Sequence, residues 1–251
     1  MPKWVEPETP PRGAVVVVGG RGETDAVYRR LARRLAFDGY RIAVVGPSDA
    51  EGASLEESGV VEAIRALIGQ ADPASPVVLI GSDTGAAAVV RAATGAPVSG
   101  VVLAGLLTEG AAEMPDGWED ELDIRSACPV HRGVLAGGGD RAGAVVPGRL
   151  AAHGEGLDAA ELAGLTVPIL AVHGDGDRVS PVADVAAVLA GAPDAEVVFV
   201  VHGRHDILND VSHRSVAATI VQFLERLRLP GAAPILRRGD TADLPLVGRV
   251  G

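Results

Sequence analysis

The sequence is short of three residue types. Aromatics make up 3% of 251 residues, cysteine occurs once, at Cys128, and lysine once, at Lys3. With so few large rings, a core must be assembled from many Ala, Val, Leu and Ile side chains, and hydrophobic residues reach 47%. One cysteine excludes an intramolecular disulfide and fits a reducing, cytoplasmic compartment. Basic residues are also outnumbered: 22 Lys+Arg face 33 Asp+Glu, a net charge of −11. Phosphate backbones and anionic membranes would be repelled, so neither nucleic acid nor membrane is expected as a partner. No apolar run approaches the roughly 18 residues of a spanning helix. The opening Met1-Pro-Lys-Trp-Val-Glu-Pro has no apolar leader core, so no secretion signal is expected. Cys128-Pro-Val-His131 offers only two ligands, too few for a metal site, and is read as a turn. No cofactor is expected.

What is present is a repeating alternation of strand and helix. Ala14–Val18, Arg41–Val45, Val77–Ile80, Gly100–Ala104, Val167–Val172 and Glu196–Val201 are short apolar runs rich in β-branched residues, and they predict strands. Helical spacing follows at 25–37, 60–68, 182–189 and 211–227, the last with Val216, Ile220, Phe223, Leu224 and Leu227 on one stripe. Alternation of this kind predicts a mostly parallel sheet covered by helices on both faces. Residues 106–165 break the rhythm. They are rich in Gly and charge, with helical fragments near 118–128 and 158–162, and are expected to be an inserted lid. The core is then 13–105 and 166–228, with 1–12 and 229–251 as terminal arms.

The stretch that organises the rest is Val77-Val-Leu-Ile-Gly-Ser-Asp-Thr-Gly85. A strand, a sharp turn flanked by glycines and a packed Ala/Val helix make a nucleophile elbow, the hallmark of the α/β-hydrolase fold. The outer positions of the turn must be small, and Gly81 and Gly85 meet that need. The central position, which faces substrate, is Asp83. Ser82 is one place too early, because Ile80 and Thr84 would then hold the small positions. Gly19-Gly-Arg-Gly-Glu-Thr24 follows the first strand without the G-x-G-x-x-G spacing of a dinucleotide loop, so its use is to offer a backbone N–H to an oxyanion. In a parallel sheet, reactive groups gather at the carboxyl ends of strands. Those ends carry Arg21, Asp83, Asp177 and His205, in the order nucleophile, acid, histidine.

Over most of 13–228 the chain resembles α/β hydrolases of the monoacylglycerol lipase and lysophospholipase branch. Gly20-Arg-Gly-Glu23 with Tyr28 is similar to that branch's His-Gly-x-Gly-Glu and following tyrosine, with Gly19 where the histidine would be. His173-Gly-Asp-Gly-Asp177 resembles its acid loop and Arg204-His-Asp-Ile-Leu-Asn-Asp210 its histidine loop. The resemblance implies Asp177 rather than Asp175 as triad acid, His205 as base, and the backbone N–H groups of Arg21 and Thr84 as an oxyanion hole. Two features depart from it: Asp83 stands where the branch has serine, and Gly46-Pro-Ser-Asp replaces its Asp-x-x-Gly-x-Gly.

Aspartate elbows occur in haloalkane dehalogenases and epoxide hydrolases of this fold, but Thr84 is not the tryptophan of the former, and Tyr28 and Tyr40 lie outside the expected lid, unlike the acid tyrosines of the latter. The sequence therefore predicts a hydrolase acting on a small, largely apolar ester, lactone or C–X bond through Asp83, His205 and Asp177. The alternatives are a non-hydrolytic tailoring lyase or cyclase and a non-catalytic ligand-binding protein. A water-sized space between Asp83 and His205 favours the first; an Asp83 sealed by Arg21 favours the others. Of the other histidines, His202 is expected near the site, His213 on a helix surface or in packing, and His131 and His153 in the lid, on its surface or meeting substrate. Asp206 is expected to accept hydrogen bonds within its loop.

Overall fold

The computed structural model describes residues 2–47, 57–109, 115–137, 150, 156–232 and 235. Seven strands form one sheet in the order β1-β3-β2-β4-β5-β6-β7. They are β1 (Trp4–Val5), β2 (Ala14–Val18), β3 (Arg41–Val45), β4 (Val77–Asp83), β5 (Gly100–Leu106), β6 (Ile169–Gly174) and β7 (Ala195–Val200). Only β1 is antiparallel to its neighbour, Trp4 facing Ala43. The arm it belongs to is docked: Arg41 lies over the Trp4 ring, 4.3 Å from its centroid, and Trp4 Nε1 donates to Gln70.

The sheet is covered on both faces, which is why its central strands read as unbroken apolar runs rather than alternating ones. On one face Val16, Val18, Leu79, Val101 and Leu103 pack with α2 (Glu57–Ile68), α3 (Thr84–Ala93) and α7 (Val182–Leu189). On the other, Val15, Val17, Val78, Ile80 and Val102 meet α1 (Arg29–Phe37) and α8 (His213–Leu227). Successive strand residues point to opposite faces, so each run serves two cores. Each fully buried Val or Leu contributes about 1.5–3 kcal/mol, and the number of such residues replaces the bulk that aromatics would give.

The 106–165 segment supplies α4 (Trp118–Arg125), α5 (Pro129–Leu135) and α6 (Ala159–Ala163). Helix α6 begins with a capping box between Asp158 and Glu161. Helix α5 corrects the turn expected at Cys128–His131. Pro129 occupies the first helical positions, where its missing N–H costs nothing. His153 and most of the C-terminal arm lie outside the described residues. Among the described residues no helix is long and apolar enough to cross a membrane.

Candidate active site

Strand β4 runs parallel between β2 and β5, and its register with β5 slips between Ser82 and Asp83. At that slip the chain turns into α3. Asp83 takes φ 52 and ψ −124, a conformation disfavoured for any residue with a Cβ and worth on the order of 1–3 kcal/mol of strain. The surrounding backbone is too close for side chains. A Cβ on Gly81 would meet Gly85 O at 2.3 Å, and one on Gly85 would meet Val18 O at 2.5 Å. On the facing loop, a Cβ on Gly20 would lie 2.6 Å from Asp83 Cβ. The glycines thus fix where the Asp83 carboxylate points.

That carboxylate is heavily engaged. Its Oδ2 accepts the backbone N–H of Arg21 at 2.8 Å and the Arg21 Nε–H at 2.9 Å. Its Oδ1 accepts Arg21 Nη2 at 2.8 Å and lies 3.3 Å from His205 Nε2. The last contact is between charges; its direction falls outside hydrogen-bond geometry. On the far side of the ring, His205 Nδ1 is 2.8 Å from Asp177 Oδ2. Asp177 is held in turn, its Oδ1 accepting the N–H groups of Val179 and Ser180 at 2.8 and 3.1 Å. Thr84 opens α3 directly after Asp83, so its N–H is one of the first-turn donors the helix itself does not use.

The electrostatics follow from burial and pairing. Asp83 is 2% exposed. Burial opposes its ionisation, yet the charges of Arg21 and His205 hold its carboxyl well below the usual range. Burial also opposes charge on His205, but Asp177 and then Asp83 prevail and raise it to about 10. Asp177 is lowered despite burial, chiefly by His205. The charged forms of Asp83, His205 and Asp177 thus support one another.

A second charged layer lies behind the Arg21 loop, and nothing in the sequence pattern announced it. Arg125, from α4, is fully buried. Its Nη2 donates to the Arg21 carbonyl at 2.9 Å, its Nε to Glu121 at 3.1 Å, and its Nη1 to Asp206 at 3.5 Å. Glu23 Oε1 is 3.7 Å from the same Nη1. Burial, with the nearby Asp206 charge, raises the Glu23 carboxyl. It accepts hydrogen bonds from Tyr28 Oη at 2.5 Å and Gly20 N at 2.7 Å.

The remaining candidates separate clearly. Asp175 is exposed and accepts the His202 N–H, so it is turned away from His205. His202 is itself exposed, with φ 56. His213 starts α8, and its Nδ1 contacts the Asp210 carbonyl. His131, expected on the lid surface or meeting substrate, is buried, with Nε2 2.9 Å from Asp206 Oδ2; the stretch expected to be a turn is helix α5 and carries it. Asp206 does accept hydrogen bonds, but across elements rather than within its loop.

No family model matches the sequence, and a search of curated proteins finds no match. Solved structures do resemble it. A monoacylglycerol lipase of Paleococcus ferrophilus superposes with a TM-score of 0.67 at 17% identity, over 90% of this chain and 99% of that one. A soluble variant of monoglyceride lipase from Saccharomyces cerevisiae, in complex with a substrate analogue, gives 0.69 at 14% identity, over 91% and 92%. An esterase from Exiguobacterium antarcticum gives 0.62 at 16% identity, over 89% and 94%. What this chain shares with them is the α/β-hydrolase fold.

Proposed function

We propose that this chain is a hydrolase that attacks an electrophilic carbon with the carboxylate of Asp83, using His205 as acid and base and Asp177 to orient and charge the histidine. The 106–165 segment serves as its lid. Substrates are small esters, lactones or compounds with a C–X bond. The observation that carries the reading is the orientation of Asp83: Oδ2 rests on the Arg21 N–H, where an oxyanion would form, and Oδ1 faces His205 Nε2 at 3.3 Å.

The charge state suits a two-step displacement. In the first step Oδ1 bonds to the substrate carbon while the bond from carbon to the leaving group breaks. The carbon attacked is saturated; a halide or carboxylate leaves as its anion with the electron pair and His205 then gives its Nε2 proton to water, whereas an alkoxide leaving group takes that proton directly. Asp83 is now a neutral ester. One of the two carboxylates holding His205 protonated has gone, so its affinity for a proton falls and it becomes a base. In the second step His205 takes a proton from water, whose oxygen bonds to the Asp83 carboxyl carbon. The negative charge moves to Oδ2, at the N–H groups of Arg21 and Thr84. Collapse breaks the bond between that carbon and Oδ1, and the alcohol leaves with the proton of His205. The new Asp83 acid returns its proton to His205, restoring the ion pair.

A second reading is favoured by two observations, one being that Asp83 Oδ1 lies 3.3 Å from His205 Nε2, which leaves no water-sized space between them. The other is that Arg21 holds both oxygens of Asp83 in a bidentate clamp, and a clamped carboxylate is a poor nucleophile. In that reading Asp83 is a binding or acid/base group, and the protein is non-hydrolytic. Intact-protein mass spectrometry of His205→Ala separates the two. After exposure to a panel of epoxides, haloalkanes, 2-halo acids and lactones, the first reading expects an adduct mapped to Asp83. No adduct with any member, together with weakened ligand binding in Asp83→Ala, supports the second.

A further inference from the structure

We propose that the cleft between α1 and α5 binds a small phosphate monoester, at a site separate from Asp83 and independent of what Asp83 does.

The cleft has a volume of about 270 Å³, a little below the roughly 300–1,000 Å³ that drug-sized ligands occupy. Arg29, Arg30 and Arg33 line it from α1, and Val130, His131 and Val134 from α5. No described Asp or Glu lines it. On α1 Arg33 lies four residues from Arg29 and three from Arg30, spacings at which like charges repel. Their neighbour Arg34 is relieved by Asp38, 2.8 Å away. Among the described residues no carboxylate does the same for Arg29, Arg30 or Arg33. Arg30 donates to the Asn209 carbonyl, which is neutral. The uncompensated charge is felt nearby: His213 is lowered first by burial and then by the charges of Arg30, Arg214 and His131.

His131 gives a second, independent sign of a ligand. It is 2% exposed, yet it lines the cleft. Its Nε2 is taken by Asp206 Oδ2 at 2.9 Å. Nδ1, the other polar atom of the ring, has no partner among the described residues. Polar atoms of buried side chains are nearly always hydrogen-bonded, so this one is left to the occupant of the cleft.

The chemistry of that occupant follows from the lining. A carboxylate brings one charge and two acceptor oxygens. A phosphate monoester brings about −1.5 to −2 at neutral pH and three such oxygens, enough to serve more than one guanidinium, each of which pairs with phosphate through a planar fork. Near its second ionisation, at a pKa of about 6, it can also share a proton with His131 Nδ1. Val130 and Val134 suit a short carbon chain on the ester oxygen better than a free ion. The net charge of −11 does not oppose this. Exposed charges more than about 8–10 Å away are screened at physiological salt, so a small ligand responds to the arginines beside it, whereas a long polyanion meets the whole surface. Through His131 and Asp206 the bound phosphate would reach Arg125, 3.5 Å from Asp206 Oδ1, and so the back of the Arg21 loop.

Calorimetry on the full chain at constant pH and ionic strength tests this, with propyl phosphate, inorganic phosphate and propionate as ligands. Propyl phosphate is expected to bind about tenfold or more tighter than propionate, and severalfold tighter than inorganic phosphate. Arg33→Met should weaken propyl phosphate about tenfold. Arg34→Met, which removes the same charge from the same helix but from the pair with Asp38, should leave it within about twofold. In histidine NMR the His131 ring signals should move in step with the binding isotherm, and those of His202 should stay. Propionate bound as tightly as propyl phosphate would overturn the inference, as would equal losses in Arg33→Met and Arg34→Met or a His131 ring that does not respond. Inorganic phosphate matching propyl phosphate would overturn the assignment to a monoester.

Discussion

Arg125 Nη2 donates to the carbonyl of Arg21 at 2.9 Å, so a fully buried arginine of α4 grips the same peptide segment whose N–H supports Asp83. Around it stand Glu121, Asp206 and Glu23. Burial lowers the guanidinium's affinity for its proton, but the charges of Asp206, Glu23 and Glu121 more than restore it. Replacing Arg125 by Met leaves these carboxylates buried without their common partner, and breaking such a buried arrangement costs about 3–5 kcal/mol. Urea unfolding of Arg125→Met should show a loss of that order. A change below about 1 kcal/mol would mean that the carboxylates are satisfied by other groups.

The elbow makes a sharper steric prediction. A methyl group at Gly20 would lie 2.6 Å from Asp83 Cβ, so either the loop or the elbow has to move. Gly20→Ala should keep the far-ultraviolet dichroism of the fold while losing at least tenfold in turnover, because the carboxylate is displaced from its donors. Unchanged turnover would show that the loop yields freely.

The two acids of the β6 loop should behave differently. Asp177→Asn removes the group 2.8 Å from His205 Nδ1, and comparable losses of an orienting acid reach on the order of 10⁴ in rate. Asp175, whose carboxylate accepts the His202 N–H, should tolerate Asn with less than a fewfold change. Kinetics of the two variants, measured in parallel, decide it; equal losses would contradict the assignment.

The charge state predicts a pH dependence with a definite sign. His205 is raised from 6.5 to about 10. Its protonated form is stabilised by folding, so this contribution is fully present below pH 6.5 and is lost as pH rises through 10. Asp83 is lowered below 3.8, so its contribution is present above that value and lost as pH falls below it. Stability should decline on the alkaline side, and Asp83→Asn should bring the His205 titration down. Histidine NMR titration of wild type and variant reads both. An imidazole that titrates near 6.5 in the wild type would show that the ion pair does not form.

How much of this was legible in the sequence depends on how local the cause is. Gly81 and Gly85 announce the elbow because backbone atoms approach there at fixed spacing, and only glycine fits. The strand runs are legible because both faces are buried. The sequence also drew attention to Asp83, Asp177 and His205, which the fold brings within hydrogen-bond or charge contact. Arg125 was hidden because Glu121 and Arg125, one helical turn apart, look like an ordinary solvated pair; only the packing of α4 against the Arg21 loop buries them. His131 is buried in the same way, by packing against Asp206 that lies 75 positions away in sequence. The direction of the Arg21 side chain is set by Asp83 across 62 positions of sequence, and no local pattern encodes it.

The most direct test of the account is the fate of the water oxygen. A single turnover in heavy-oxygen water, with enzyme in excess, is followed by mass spectrometry of the peptide carrying Asp83 and of the released product. The account predicts one heavy oxygen in the Asp83 carboxylate and none in the first alcohol formed, because that alcohol leaves with the former Oδ1. Label found only in the product, with Asp83→Ala still active, would contradict it.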